Sequence, residues 1–272
     1  MEVLCLGDNV VDMYVDQGMM FPGGNAVNVA VHLSRRGISA GYAGTLADDR
    51  RGNLIRDALI DEGVDLSGLR VIEGSTGYCR VNVVDGERVF EHGDGGVSTT
   101  AITAAELQLA ATVRLVHTGD NSGTEALVGE LGERARISFD FGTRPREYCE
   151  PLLPHIWLGT FSVTGEQPAA ARRMAEWAAG HGLSWVLVTE GANGASLWHE
   201  GELSHVAAAG EQPVDTLGAG DATIAGVLSK LLRGHGAVPA LREAMALAAM
   251  TCGRYGAFGH GVPIHEVPIT TG

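Results

Sequence analysis

The run Asp215-Thr216-Leu217-Gly218-Ala219-Gly220-Asp221 places small residues and a carboxylate directly ahead of ATIAGVLSKLL, a segment of strong helical character. Gly218, Ala219 and Gly220 then fall at a helix N-terminus. Free backbone N–H groups there, with the positive end of the helix dipole, can hold an anion. Small side chains let a phosphate come against the backbone. Asp221, in the first turn, lies beside that anion and can take a proton from an attacking hydroxyl. Phosphoryl transfer asks mainly for positioning and charge stabilisation, and this loop could supply both. The same residues also suit a dipole-favourable cap after a tight turn. The local motif leaves both readings open.

A second glycine pair meets a helix start at Gly23-Gly24-Asn25-Ala26-Val27-Asn28. Asn25 could be a cap and Asn28 a satisfied core amide. Together they could bind a polyhydroxylated ligand, because amides both donate and accept. The first strand ends in Gly7-Asp8-Asn9-Val10-Val11-Asp12. Ligands of open α/β sheets bind at the carboxyl ends of strands, which puts Asp8, Asn9 and Asp12 at the correct end, with a plain turn as the alternative.

The elements that would position these groups alternate. Val3 to Leu6 reads as a buried strand, and NAVNVAVHLSRR as a helix apolar on almost every side, stopped by Gly37. Strand and turn follow in SAGYAGTLADD, then an amphipathic helix over Arg50 to Asp61. From about Arg70 to His92 the pattern changes to short alternating runs around an Asp-Gly turn, a β-hairpin signature. Alternation then resumes. Strands are expected at Val113–His117, Ile137–Phe141, His155–Phe161 and Trp185–Thr189, and a late pair at Ala195–Trp198 and Leu203–Val206. Helices are expected at Thr124–Leu131, Pro168–His181, Ala219–Arg233 and Pro239–Tyr255. This order implies a mostly parallel sheet covered on both faces, with a small antiparallel appendage.

Composition excludes several classes. The net charge of −14 argues against nucleic acid or an anionic membrane surface as the main partner. Lys230 is the sole lysine and follows no glycine-rich loop, so a P-loop or protein-kinase lysine is missing and a Schiff-base lysine is unexpected. No G-x-G-x-x-G follows the first strand, which disfavours an NAD-dependent dehydrogenase. Cys5, Cys79, Cys149 and Cys252 are far apart and read as reduced residues of a cytoplasmic protein. No signal peptide or membrane-spanning run is expected. His260 and His265, in a Gly/Pro-rich tail, read as surface residues rather than metal ligands.

GGNAVNVAVHLSRRGISAGYAGTLADD near the start and DTLGAGDATIAGVL near the end, in that order and spacing, resemble the two signatures of the PfkB, or ribokinase-like, carbohydrate kinases. The resemblance covers essentially the whole chain, 1–272, as one kinase domain. It implies a three-layer α/β/α sandwich with a mostly parallel central sheet and a small β lid, here from about 12–22 and 71–92. It also implies ATP-dependent phosphorylation of a hydroxyl on a sugar. By resemblance Asp221 is the catalytic base, and Gly218, Ala219 and Gly220 form the anion hole with it. Asp12, Gly24 and Asn28 contact the sugar, with Gly23, Asp8 and Asn9 beside them. Thr189, Gly191 and Gly194 resemble the T-x-G-x-x-G segment lining the ATP site. Asp215 and Thr216 resemble a loop that often holds a monovalent cation such as K⁺. Mg²⁺ would arrive with ATP, mostly through water and phosphate oxygens.

The opening GDNVVDMY, the short step to FPGGNAVNVAVHL, and EGANGASLW are similar to fructoselysine 6-kinases, which phosphorylate the 6-hydroxyl of an Amadori sugar. Other family acceptors remain open: ribose, adenosine, 2-keto-3-deoxygluconate or a fructose phosphate, the last needing a cationic clamp such as Arg80 and Arg88. A catalytically silent sugar- or nucleotide-binding regulator on the same fold is the rival from another class. Three departures stand out. Val163 replaces the Asn of the usual Asn-x-x-Glu, and the resemblance gives Glu166 an indirect, water-mediated role toward Mg²⁺ without that Asn beside it. Ala47 replaces the Gly of Gly-Asp-Asp. The step from Asp12 to Phe21 is too short for a full lid, so the expected lid is small and a homodimer through the lid is expected to cover the site.

Overall fold

The computed structural model describes residues 1–84, 87–99, 101–163, 169–209 and 213–264, with side chains 82–92 and 99 excepted. Glu166, His265 and the Asp-Gly turn at 85–86 lie outside the described residues. The first half of the chain runs β1 (Val3–Leu6), β2 (Val10–Tyr14), β3 (Met19–Gly23), α1 (Asn25–Arg35), β4 (Ala40–Ala47), α2 (Arg50–Asp61), β5 (Asp65–Ile72), β6 (Thr76–Val84), β7 (Glu87–Gly96) and α3 (Ala104–Ala110). It continues β8 (Leu115–Gly119), α4 (Val128–Gly132), β9 (Arg136–Asp140), α5 (Arg146–Cys149), β10 (Leu158–Ser162), α6 (Ala170–Gly180), β11 (Trp185–Thr189), β12 (Ala195–His199), β13 (Glu202–Val206), α7 (Ala219–Leu231), α8 (Ala237–Cys252) and β14 (Val262–Pro263).

β1 is apolar at every position because both of its faces are covered. Val3 and Cys5 belong to one core, Leu4 and Leu6 to the other. The period of two sends alternate side chains to opposite layers. The first core packs under α1, α2, α7 and α8; the second under α3, α4, α5 and α6. The result is a three-layer α/β/α sandwich. Its nine-stranded sheet has the order β13-β12-β11-β10-β9-β8-β1-β4-β5. Every pairing from β11 to β5 is parallel, and β12 and β13 are added antiparallel. The chain leaves β1 toward β4 on one side and returns to β8 on the other. This reversal opens a crevice beyond the carboxyl ends of β1 and β8, where α/β sheets bind ligands.

A second sheet of order β14-β3-β2-β6-β7 stands where the sequence suggested a lid, and is called the lid. It takes in 10–14, 19–23, 76–84, 87–96 and 262–263, where the sequence suggested about 12–22 and 71–92. Residues 65–72 instead pair parallel with β4 as the edge of the main sheet. The lid is not purely antiparallel either, since β2 runs parallel to β6. Tyr14, Phe21 and Val81 make its small core and reach Leu217 of the body. Asp49 anchors its base. That carboxylate caps α2 through the Gly52 N–H at 2.7 Å and accepts from the N–H and hydroxyl of Thr76 at 2.9 and 2.7 Å. α3 was not legible in the sequence, and a capping box of Thr103 with Glu106 starts it. His260 is half-buried and bonds Glu62 at 2.7 Å. Among the described residues no helix is long and apolar enough to cross a membrane.

Candidate active site

α1 and α7 bring their first turns together at the crevice. α1 starts at Asn25 because Gly24, at φ 107°, turns the chain out of β3 into the helix. A side chain at Gly24 would strike the backbone of Asn9, whose Cα lies 2.7 Å from the Cβ position. The open N–H groups of Asn25 and Ala26 are taken by Asp8, at 2.8 and 3.1 Å, and Ser122 also donates to that carboxylate at 3.3 Å. Asp8 is therefore an anchor for the helix start, a contact of about 1 kcal/mol for a cap of this kind. Asn9 is buried, and its amide donates to Tyr42 and the Thr45 carbonyl, each at 2.9 Å. The Asp8 carboxylate and the Asn9 amide NH₂ thus bond to the scaffold, while Asn9 Oδ1 is buried without a protein partner. Asp12 is on β2 of the lid, buried, with one carboxylate oxygen 2.3 Å from where a Gly23 side chain would begin.

α7 begins after Gly218, which holds φ 74°. The helix carries its first-turn N–H groups, those of Gly220 and Asp221 among them, without intrahelical acceptors. Space around the two glycines differs. A Cβ at Gly218 would lie 2.4 Å from that of Ala257, whereas one at Gly220 would meet nothing within 4 Å. Gly218 serves the turn, and Gly220 faces open space.

Asp221 is held from both sides. Asn25 Nδ2 donates to its Oδ1 at 2.7 Å, and Asn28 Nδ2 donates to its Oδ2 at 2.6 Å. The second Asn25 amide hydrogen goes to Asp140 Oδ2 at 3.0 Å. Asp140 ends β9 and also accepts from the Gly142 N–H at 3.0 Å. Burial pushes the Asp221 carboxyl up to about 6, against the lowering effect of Asn28 and Asn25, with the charge of Asp8 adding to the rise. Burial, then the neighbouring Asp221 charge, raises Asp140 to about 7. A carboxylate poised near neutrality is well matched to general-base work.

On the other side of Gly220 lies a cavity of about 560 Å³. Thr189, Gly191 and Gly194 from the β11–β12 turn line one wall, Thr216, Ala219 and Gly220 the second, and Met245, Ala248 and Ala249 of α8 the third. Polar groups gather at the helix N-terminus and small apolar ones behind, as suits a nucleotide with phosphates toward α7. Gly218 is absent from this lining and sits against Ala257 instead. A larger, open groove of about 640 Å³ lies at the opposite end of the sheet, around Arg114, Arg136 and Trp157, far from these groups.

Asp215 is buried behind the loop. It accepts from the Leu217 N–H at 3.0 Å, the Gly256 N–H at 3.0 Å and the Tyr14 hydroxyl at 2.5 Å. It thereby ties the lid strand β2 to the anion-binding turn. Asp140, Tyr14 and His117 are site residues that motif reading passed over. Asp140 carried a usable signal, a carboxylate closing the buried strand Ile137-Ser138-Phe139.

Comparison with known proteins agrees with this geometry. Residues 3–263 match the model of the pfkB family carbohydrate kinase. The chain is 34% identical to fructosamine kinase FrlD of Bacillus subtilis (strain 168) over 269 residues, 97% of this chain and 95% of that one. It is 31% identical to fructoselysine 6-kinase of Escherichia coli (strain K12) over 256 residues, 93% and 98% of the two chains. Among solved structures, Arabidopsis thaliana ribokinase complexed with ribose and ATP superposes with a TM-score of 0.81 at 23% identity, over 94% of each chain. Fructokinase with bound ATP from Xylella fastidiosa gives 0.77 at 20% identity, again over 94% of each. With both signatures, the sandwich, the lid and the helix-bound carboxylate in place, the chain belongs to the pfkB family of carbohydrate kinases.

Proposed function

We propose that this kinase transfers the γ-phosphoryl group of ATP to the 6-hydroxyl of fructoselysine, with Asp221 as the base. The observation that carries the chemistry is the clamp of Asn25 and Asn28 on Asp221 beside the open helix N-terminus at Gly220. The acceptor is taken from the two relatives at 31–34% identity, named for fructosamine and fructoselysine, which match over nearly their full length.

ATP lies in the cavity between Thr189–Gly194 and α8 with its phosphates toward Gly220. Mg²⁺ comes as part of the MgATP substrate. The sugar lies between Asp12 on the lid and the Gly24–Asn28 turn. Asp221 takes the proton of the attacking hydroxyl as the new oxygen–phosphorus bond forms and the bond to ADP breaks. First-turn N–H groups of α7 stabilise charge on the transferring group. A monovalent cation at Asp215 and Thr216 would find the Asp215 carboxylate already engaged. Hydrogen-bond donors from Tyr14, Leu217 and Gly256 already point at both of its oxygens, and a cation would compete with them for lone pairs.

Unpaired cysteines suit a reducing compartment, and we read the protein as cytoplasmic. We also keep a homodimer through the lid, whose outer strand β7 is a sheet edge. A monomer by light scattering at micromolar concentration would overturn that. The substrate is tested by comparing kcat/KM with ATP for fructoselysine, ribose, fructose, adenosine and 2-keto-3-deoxygluconate. Fructoselysine should lead; a clear preference for another member would replace it.

A further inference from the structure

His117 is buried in mid-sheet, at 0% exposure, and nothing in the proposed chemistry uses it. It lies on β8, in register with Cys5 of β1 and Ser138 of β9. The alternation of β8 puts it on the same face as Leu115, the face covered by α1 and α7. A polar ring in that position is costly unless satisfied. Both nitrogens are: Nε2 lies 2.9 Å from Asn25 Oδ1, and Nδ1 lies 3.1 Å from Ser138 Oγ.

The proton positions follow from the acceptors at the end of the chain. Asp221 as a carboxylate can only accept, so the Asn25 amide must turn its NH₂ toward it, and the second amide hydrogen then meets Asp140. Asn25 Oδ1 then faces His117 and can only accept, so Nε2 carries the hydrogen. Burial drives the ring's pKa down to about 3, leaving it neutral, so Nδ1 accepts from the Ser138 hydroxyl. The result is a one-way chain from Ser138 through His117 and Asn25 to the two carboxylates. Every polar atom of the Asn25 side chain is committed. Asn28 differs: its Oδ1 is buried with no partner.

We propose that His117 is a positioning residue that, through Asn25, fixes the Oδ1 edge of Asp221 during turnover and so directs the proton to Oδ2. When Asp221 takes the substrate proton, its carboxyl becomes a donor and needs an acceptor. Asn25 Oδ1 is not available, because His117 holds it. Asn28 can reverse its amide and present Oδ1, its NH₂ then taking the place of an oxygen that has no protein partner. The proton therefore moves from the sugar hydroxyl to Oδ2, on the Asn28 side, while Asn25 goes on donating to Oδ1. Loss of His117 lets the Asn25 amide reverse once a carboxyl is protonated, and the base loses its fixed orientation.

This inference rests on Asp221 being the base, and the test separates the two. The variants are His117→Leu, His117→Gln, Asn25→Ala and the double His117→Leu/Asn25→Ala, each checked by circular dichroism and assayed for kcat and KM across pH. His117→Leu should lower kcat about tenfold with KM for ATP unchanged, and move the acid limb of kcat/KM upward, because the ionised carboxylate loses a fixed donor. His117→Gln keeps an N–H donor and should recover most of the loss. In the Asn25→Ala background His117→Leu should have no further effect, since it acts through Asn25. An unchanged acid limb, or additive losses in the double variant, would overturn the role of His117. Should the leucine variant fail to fold, His117→Asn, too short to reach Asn25, is read against His117→Gln; equal activity in those two would also overturn it. A fully active Asp221→Asn would instead remove the base itself, whatever the His117 variants do.

Discussion

Replacing Asp221 by Asn removes the proton acceptor and leaves the shape. Asn25 can still donate to the new side chain's Oδ1. The new NH₂ then faces Asn28, and Asn28 can reverse its amide because its Oδ1 has no partner to lose. The fold should therefore survive. Loss of a positioned general base costs about 10²–10⁴ in rate, or roughly 3–5 kcal/mol of transition-state stabilisation. Stability should move the other way. The rise of Asp221 from the ordinary 3.8 to about 6 corresponds to about 3 kcal/mol against ionisation for a fully desolvated group. Allowing for the partial exposure of Asp221, this is on the order of 2 kcal/mol. A neutral amide does not carry that cost. The variant should melt roughly 2–6 °C above the parent at pH 8, where Asp221 is ionised. The gain should shrink toward pH 5, where the folded parent is already protonated. The assays are coupled ADP release, calorimetric titration with MgATP, and melting at both pH values. ATP binding should be retained. Turnover within fivefold of the parent would refute the role of Asp221, and a melting temperature lowered at pH 8 would refute the electrostatic reasoning.

Gly220→Ala should fold with an unchanged melting temperature, because its Cβ meets no protein atom, yet lose at least tenfold in kcat/KM for ATP; unchanged ATP kinetics would show that this space is not the phosphate cradle. Gly218→Ala should instead destabilise the fold, through its positive φ and the clash with Ala257, which thermal melting would detect. For the parent enzyme, kcat/KM should fall as pH drops through about 6–7, because the pushed-up Asp221 and Asp140 carboxyls gain protons there; a flat profile from pH 8 to 5 would contradict this. Exchanging K⁺ for Na⁺ or tetramethylammonium should change kcat less than twofold. Tyr14→Phe should lower kcat severalfold by freeing the anion-binding turn from the lid, and a parent-like kcat would remove that coupling.

The parts of the site that read clearly in the sequence are those built by local chain geometry. Gly218 to Asp221 form one helix start, and Gly24 to Asn28 form another. Spacing within a few residues dictates which groups share each turn. The partners of those turns were not legible, because the sheet delivers them from far away. Asp140 meets Asn25 across 115 residues and His117 meets it across 92. Both depend on the order of β8 and β9 beside β1, which no local pattern encodes. Asp8 and Asn9 show the converse. Both sit at a strand's carboxyl end, but α1 starts directly above Asp8 and the Asn9 amide NH₂ turns back to Tyr42 and the Thr45 carbonyl, partners that no local pattern shows. In the lid, 70–72 looked like the hairpin's first part, since an edge strand of the main sheet alternates in the same way; only the pairing of β5 with β4 tells them apart.

The most direct measurement is to incubate the purified protein with MgATP and fructoselysine and locate the phosphoryl group on the product by NMR. One phosphate ester at the 6-position per ADP formed is the expected result. ADP accompanied only by inorganic phosphate, or no ATP consumption with any sugar in the panel, would contradict it.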